Sequence, residues 1–195
     1  MSDDTRATDA SHAPPAGWVL RAGSGDLDLD GLLERFGQIH RVPVASGSTL
    51  EVGTPCFLVR TDRNRVVGLW AVGEVVAPVL DLPAGTEVLP AESLLGAIDA
   101  AVARSYAEVE LLALAKPIAL ASLLEDARLA RSELATDPDL AEPRAPVPLR
   151  IGEVRALEAT EWWIDEPSEA QRAELDRLLA AEDPILDALE AAPPG

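Results

Sequence analysis

A single cysteine, Cys56, in 195 residues excludes an intrachain disulfide framework and any multi-cysteine zinc or iron–sulfur site. Its expected role is a buried, reduced thiol in a strand. Histidine is nearly as scarce: His12 lies in the polar N-terminal arm and His40 stands alone, so a histidine-based metal site is not expected. No Gly-x-Gly-x-x-Gly, no phosphate-binding loop ending in Gly-Lys-Ser/Thr, no His-Glu-x-x-His and no Gly-x-Ser-x-Gly elbow is present. The common enzyme classes leave no signature, and the expectation is a chain that is not an enzyme and takes no cofactor. Aromatics number only four Trp, two Phe and one Tyr, so a core must be mainly aliphatic. Positive charge is short too: 16 basic residues face 34 carboxylates, a net charge of −18 that excludes coating of nucleic acid or anionic membrane by bulk electrostatics. No apolar run approaches the roughly 18 residues of a membrane span. The first residues, with Asp3 and Asp4, lack the basic and apolar regions of a signal peptide. A cytoplasmic protein without a membrane partner is expected.

What is present suffices for one domain, because the Ala, aliphatic, aromatic and Cys set makes up 48% of the chain. Residues 1–15 are small and polar and read as a flexible arm. Trp18-Val19-Leu20 reads as a short strand and Gly23-Ser24-Gly25 as a turn. A helix follows, capped by Asp26 or Asp28, with Leu29, Leu32, Leu33 and Phe36 on one stripe and Gly37 as its stop. Residues 38–53, broken by Pro43, Ser46, Gly47 and Ser48, read as a long loop fit to carry function. Residues 55–60 and 66–77 predict a β-hairpin, and Gly68 and Gly73 within it mark a bulge or a close backbone approach. A loop is expected over 78–90, a helix through 94–104, a strand over 107–115 and a short helix after Pro117. An extended segment over 137–148 and a helix over 152–161 follow. A last amphipathic helix opens on the capping box of Ser168 and Gln171. The irregular order of strands and helices predicts an α+β fold, a mixed sheet or small barrel, rather than a doubly wound one.

The acidity is uneven. Residues 79–195 carry nine basic groups against 24 carboxylates, whereas residues 32–70 carry Arg35, Arg41, Arg60, Arg63 and Arg65 against Glu34, Glu51 and Asp62, a local +2. These arginines are either solvated or paired with the acidic rear, or they form a small rim for phosphate, to which the guanidinium fork is suited. Trp18 is either a core residue or a stacking surface. Trp70 alternates with Val72 on one face of its strand and leaves both assignments open. Arg21 meets a phosphate or pairs with Glu74. The Trp162-Trp163 pair is expected to pin the C-terminal segment to the domain.

Residues 17–78 form a pattern of their own: WVLRAG, a helix, HRVP at His40–Pro43, Gly53, the FLVR strand and GLWAVGEVV. It resembles the EVE domain family, small domains of the PUA-like superfamily related to the YTH and ASCH groups, and the likeness continues through 107–126 and 137–160. Trp18 matches that family's opening Trp and Gly68 to Val75 its glycine-rich strand. His40 stands where Trp is usual, Arg41 and Val42 replace Ser-Val, and Thr54 replaces the Asp after Gly53. The resemblance implies a PUA-like, partly open barrel over residues 16–160, followed by an acidic helical tail over 161–195. It also implies a concave face that accepts one modified or flipped base of DNA or RNA. On that reading Trp18, His40, Arg41, Val42 and Trp70 are the base-pocket candidates, and Arg21, Arg60, Arg63 and Arg65 the phosphate contacts. The competing reading is an acidic protein–protein module, partnering a nuclease or toxin, with the base pocket degraded.

Overall fold

A computed structural model describes residues 14–23, 28–62, 65–82, 105–136 and 145–190. Residues 1–13 of the arm expected over 1–15, the helix expected over 94–104 and residues 137–144 of the extended segment expected over 137–148 lie outside them. The strands are β1 (Gly17–Gly23), β2 (Gln38–Val44), β3 (Pro55–Asp62), β4 (Arg65–Asp81), β5 (Ser105–Ala119) and β6 (Val147–Leu149). They form one six-stranded sheet in the order β2-β5-β4-β3-β1-β6, in which β1 and β3 run parallel and every other pair antiparallel. No pairing among the described residues joins β2 to β6, so the sheet is mixed and open rather than closed.

Both faces of this sheet are covered, which is why its inner strands read as continuous apolar runs. One core gathers Leu20, Leu58, Ala71, Tyr106, Val109 and Val42 with Leu29 and Phe36 of helix α1 (Leu29–Phe36). The other gathers Val19, Phe57, Val59, Leu69 and Val72 under α2 (Leu120–Leu123), α3 (Glu133–Thr136) and α4 (Ile151–Glu158). Successive residues of Phe57-Leu58-Val59 therefore serve opposite cores.

Local chemistry sets the ends of α1: Asp28 Oδ1 accepts from the Gly31 amide at 3.1 Å, and Gly37, at φ +68°, closes the C-terminus by donating to Leu33 O at 2.8 Å. The predicted capping box opens α5 (Glu169–Glu190): the Ser168 amide donates to Gln171 Oε1 at 2.8 Å and the Gln171 amide to Ser168 Oγ at 3.3 Å. Gln171 also donates to Glu34 O at 3.0 Å, and Leu175 and Leu178 enter the first core. The acidic segment after residue 160 thus shares the domain's packing.

The hairpin of β3 and β4 forms as expected, and Gly68 and Gly73 mark close approaches: a Cβ on either would run into the carbonyl oxygen of Ile118 or Glu110 on β5. Three expectations are corrected. Residues 38–44 are a strand, not a loop; β2 is an edge strand paired only with β5, the place where a sheet tolerates a residue such as Pro43. Residues 78–81, expected to open a loop, belong to β4, which runs on to Asp81 and absorbs Pro78 where the register shifts between Ala77 and Leu80; the rest of that expected loop, from residue 83, lies outside the described residues. Trp70 does not share a face with Val72. Register shifts between Leu69 and Ala71 break the alternation, and Trp70 packs toward the first core while Val72 serves the second. Among the described residues no helix is long and apolar enough to cross a membrane.

Candidate functional site

Of the nine candidate residues, the seven whose side chains are described lie in different surroundings and are not gathered into one pocket. Val42 is fully buried in the first core and has no surface to offer a ligand. Arg41 is 4% exposed and its Nε donates to Glu108 Oε1 across the β2–β5 ladder at 3.0 Å, which makes it a structural ion pair rather than a base contact. His40 is half-buried on β2. Arg21 does not meet Glu74 and is too buried, at 5% exposure, to serve as a phosphate contact; it donates to Ala145 O at 2.6 Å, tying β1 to the chain that leads into β6. Arg63 and the side chain of Arg65 lie outside the described residues.

Arg60 and Trp70 do meet. The Arg60 guanidinium lies 5.5 Å from the Trp70 ring centroid while holding Asp30 at 3.2 Å, so one face of the indole already carries a cation and that cation its counter-ion. Arg35 is held likewise by Glu174 at 2.6 Å. The three arginines of the 32–70 stretch whose side chains are described are each paired with a carboxylate, two with the acidic rear (Glu174 and Glu108) and Arg60 with Asp30 of the front half.

The first core is filled by Leu20, Leu58, Val109 and Tyr106, all almost fully buried, and leaves the binding question to the margin of the sheet. There Trp18 lines a cleft of about 250 Å³ with Pro15, Thr49, Leu50 and Glu51. Its far wall is positioned by two successive turns. In the first, the Ser48 amide and hydroxyl both donate to Ala45 O, at 3.1 and 2.6 Å, around Gly47 at φ +78°. In the second, Thr54 Oγ1 donates to Glu51 O at 2.5 Å, and Gly53, at φ +81°, donates to Val75 O at 2.8 Å, which docks the loop on β4. Leu50 reaches into the first core and holds the wall down. Thr54, where the family resemblance has Asp, thus works as a turn closure.

Trp18 carries one unusual feature. Its indole Nε1 is buried, and among the described residues nothing accepts its hydrogen bond. Such an orphan donor costs about 1–3 kcal/mol. Beneath it in the sheet register, Cys56 is wholly buried and burial pushes its thiol up to about 12. It is an inert core group rather than a nucleophile. No cluster of three or more His, Cys, Asp or Glu able to hold a metal ion occurs among the described residues.

Of the cleft residues, only Trp18 stood out in the sequence. Thr49, Leu50 and Glu51 lie in the loop singled out as functional, but no residue type there signals which of its positions face Trp18. Pro15 was placed in the flexible arm.

No protein-family model matches the chain, and no curated protein matches it. Among solved structures it is similar to a hypothetical protein from Leishmania major at 14% identity and TM-score 0.47, over 74% of this chain and 92% of that one. It is similar to an ASCH protein from Zymomonas mobilis at 11% identity and TM-score 0.45, over 77% of this chain and 97% of that one. A YTH domain from Zygosaccharomyces rouxii, solved in complex with N6-methyladenosine RNA, aligns at 13% identity and TM-score 0.31, over 86% and 90% of the two chains. Likenesses this distant assign no function to the chain, whose chemistry has to be read from its own residues.

Proposed function

We propose that this chain is a non-catalytic binding domain of PUA-like type that accepts a single nucleobase, modified or flipped out of its stack, in the cleft beside Trp18. The observation that carries the reading is an aromatic residue on the wall of a cleft of about 250 Å³ whose indole N–H, buried behind that wall, has no acceptor among the described residues. A base offers what that combination lacks, a flat π-face to lie against the ring and edge carbonyls or ring nitrogens to accept from Nε1 once the ring adjusts. The motif likeness of residues 17–160 to EVE domains supports the same class of ligand. On this reading the site is the Trp18 cleft, which no described arginine lines, and Arg35, Arg41 and Arg60 elsewhere are already paired with carboxylates. Phosphate contacts therefore contribute little, and affinity depends on the base.

Fluorescence anisotropy with labelled single- and double-stranded oligonucleotides, plain and carrying methylated or hydroxymethylated bases, tests this. The expected result is at least a tenfold preference for one modified base, with log K falling against log salt with a slope of about −1 to −2, that of one or two phosphates. Absence of binding to every oligonucleotide at low salt, or a slope reporting many phosphates and no base preference, refutes it. The first of those outcomes, joined with stoichiometric recovery of a protein partner, favours the acidic protein–protein module instead.

A further inference from the structure

The opposite face of the sheet holds a second cleft, larger than the Trp18 one, of about 370 Å³. Phe57 of β3 and Val72 of β4 form its floor, Trp162 and Ile164 one wall, and Glu74 and Glu158 its charged lining. Gly73, between Val72 and Glu74, also lines it, and there the β5 backbone comes so close that a Cβ would strike the Glu110 carbonyl. The wall is fixed to the sheet: Trp162 packs edge-on to Phe57 at 6.3 Å between centroids, the Ala115 amide donates to Trp163 O at 2.8 Å, and the Asp165 amide donates to Ala113 O at 2.9 Å. Ile164 nevertheless remains 41% exposed. Apolar surface held open to water in this way is suited to a partner.

The charges say which partner. Glu74 and Glu110 stand directly opposite each other across the β4–β5 ladder, a like-charge pairing that weakens a sheet unless a cation lies beside it. Among the described residues no Arg or Lys pairs with Glu74, Glu110 or Glu158, whereas Glu108, one turn of the ladder away, has its arginine. The lining is thus apolar at its floor and uncompensated negative at its edge, on a chain of net charge −18 that draws cations toward it.

We propose that this groove docks a basic segment of another protein, one large apolar side chain seated against Phe57 and Trp162 with Arg or Lys on either side meeting Glu74, Glu110 and Glu158. A cavity of about 370 Å³ is at the small end of ligand sites, which fits one anchor residue rather than a whole helix. The charged flanks set orientation and the anchor supplies the desolvated contact. This site is separate from the Trp18 cleft, and either stands if the other falls.

The test is titration of the full chain with a fluorescein-labelled peptide carrying a Leu-Trp anchor between paired arginines, and with its counterpart in which glutamates replace the arginines. The basic peptide binds saturably below about 1 mM and the acidic one at least tenfold more weakly. Glu74→Gln with Glu158→Gln lowers affinity about two- to fivefold per charge removed. Asp62→Asn with Asp176→Asn, equal in net charge but placed at the far end of β3 and on α5, leaves it within twofold. Ile164→Ser, a change at an exposed position that spares both cores, weakens binding of the basic peptide. The proposal is overturned by equal loss in the control pair, by equal binding of the acidic peptide, or by no saturable binding. It is overturned too by sedimentation showing a dimer that blocks the peptide, since the occupant is then a second copy of the chain.

Discussion

Replacing Trp18 by Phe isolates the indole N–H from the ring. Trp18 is half-buried, and losing the outer part of its ring at ~0.8 kcal/mol per buried methylene-sized group costs about 1–2 kcal/mol. Against that, Nε1 is a buried donor with no acceptor among the described residues, and removing it restores about 1–3 kcal/mol. The two effects offset, and the net change in unfolding free energy is expected within about 1 kcal/mol of zero, far from the ~3–5 kcal/mol of a buried Trp→Ala change. Urea unfolding followed by far-UV circular dichroism measures it, with the slope of free energy against denaturant confirming that the unfolded state is unaltered. On the proposed reading the same variant should lose tenfold or more in oligonucleotide affinity, because it lacks the donor assigned to the base edge. A loss of more than about 2 kcal/mol in stability would refute the reasoning, since it would mean that Nε1 already has a partner in the folded chain. Unchanged oligonucleotide binding would remove the N–H from recognition.

Three further outcomes follow from the structure. Gly73→Ala forces a Cβ against the Glu110 carbonyl on a paired strand and should cost about 3 kcal/mol, whereas Gly47→Ala, at φ +78° with open space around it, should cost only the left-handed strain of about 1–2 kcal/mol; thermal unfolding of the two variants reads the difference. Because the Cys56 thiol is held protonated by burial, with its pKa raised to about 12 from an ordinary 9.0, its contribution to stability is fully present below pH 9 and declines by roughly 1.4 kcal/mol per pH unit above it. Denaturation midpoints from pH 8 to 11 should therefore fall less steeply in Cys56→Ala, and native Cys56 should resist a thiol reagent at pH 8 until urea unfolds the chain. Glu108→Gln removes one carboxylate partner of the buried Arg41 guanidinium and should cost about 1–3 kcal/mol by urea unfolding, a loss that added salt does not abolish as it would for a surface pair.

Elements whose cause lies within a few residues were legible in the sequence. The α1 stripe with its Asp28 and Gly37 ends, the β3–β4 hairpin and the Ser168–Gln171 box each depend on neighbours close along the chain. Strand β2 was not legible, because Pro43 argues for a loop until the edge position of the strand is known. The face of Trp70 was misread for a related reason: period-two alternation fails where the register shifts, and the shift is imposed by β5, whose contact with β4 is made across a long stretch of intervening chain.

Composition and local pattern by themselves determined that the chain has a single cysteine, a mainly aliphatic core, an acidic character concentrated behind residue 78, and an α+β order of elements. Tertiary structure decided what its charges and rings are for. Arg35, Arg41 and Arg60, a local excess of positive charge along the chain, lose it to Glu174, Glu108 and Asp30, two of which come from remote segments. Trp18 and Trp162, 144 positions apart, end in two separate clefts on opposite faces of the sheet. The reason is range: capping, turns and side-chain period act over a few residues, while ion pairing, cavity shape and an unmet hydrogen bond depend on which distant segments the sheet brings into contact.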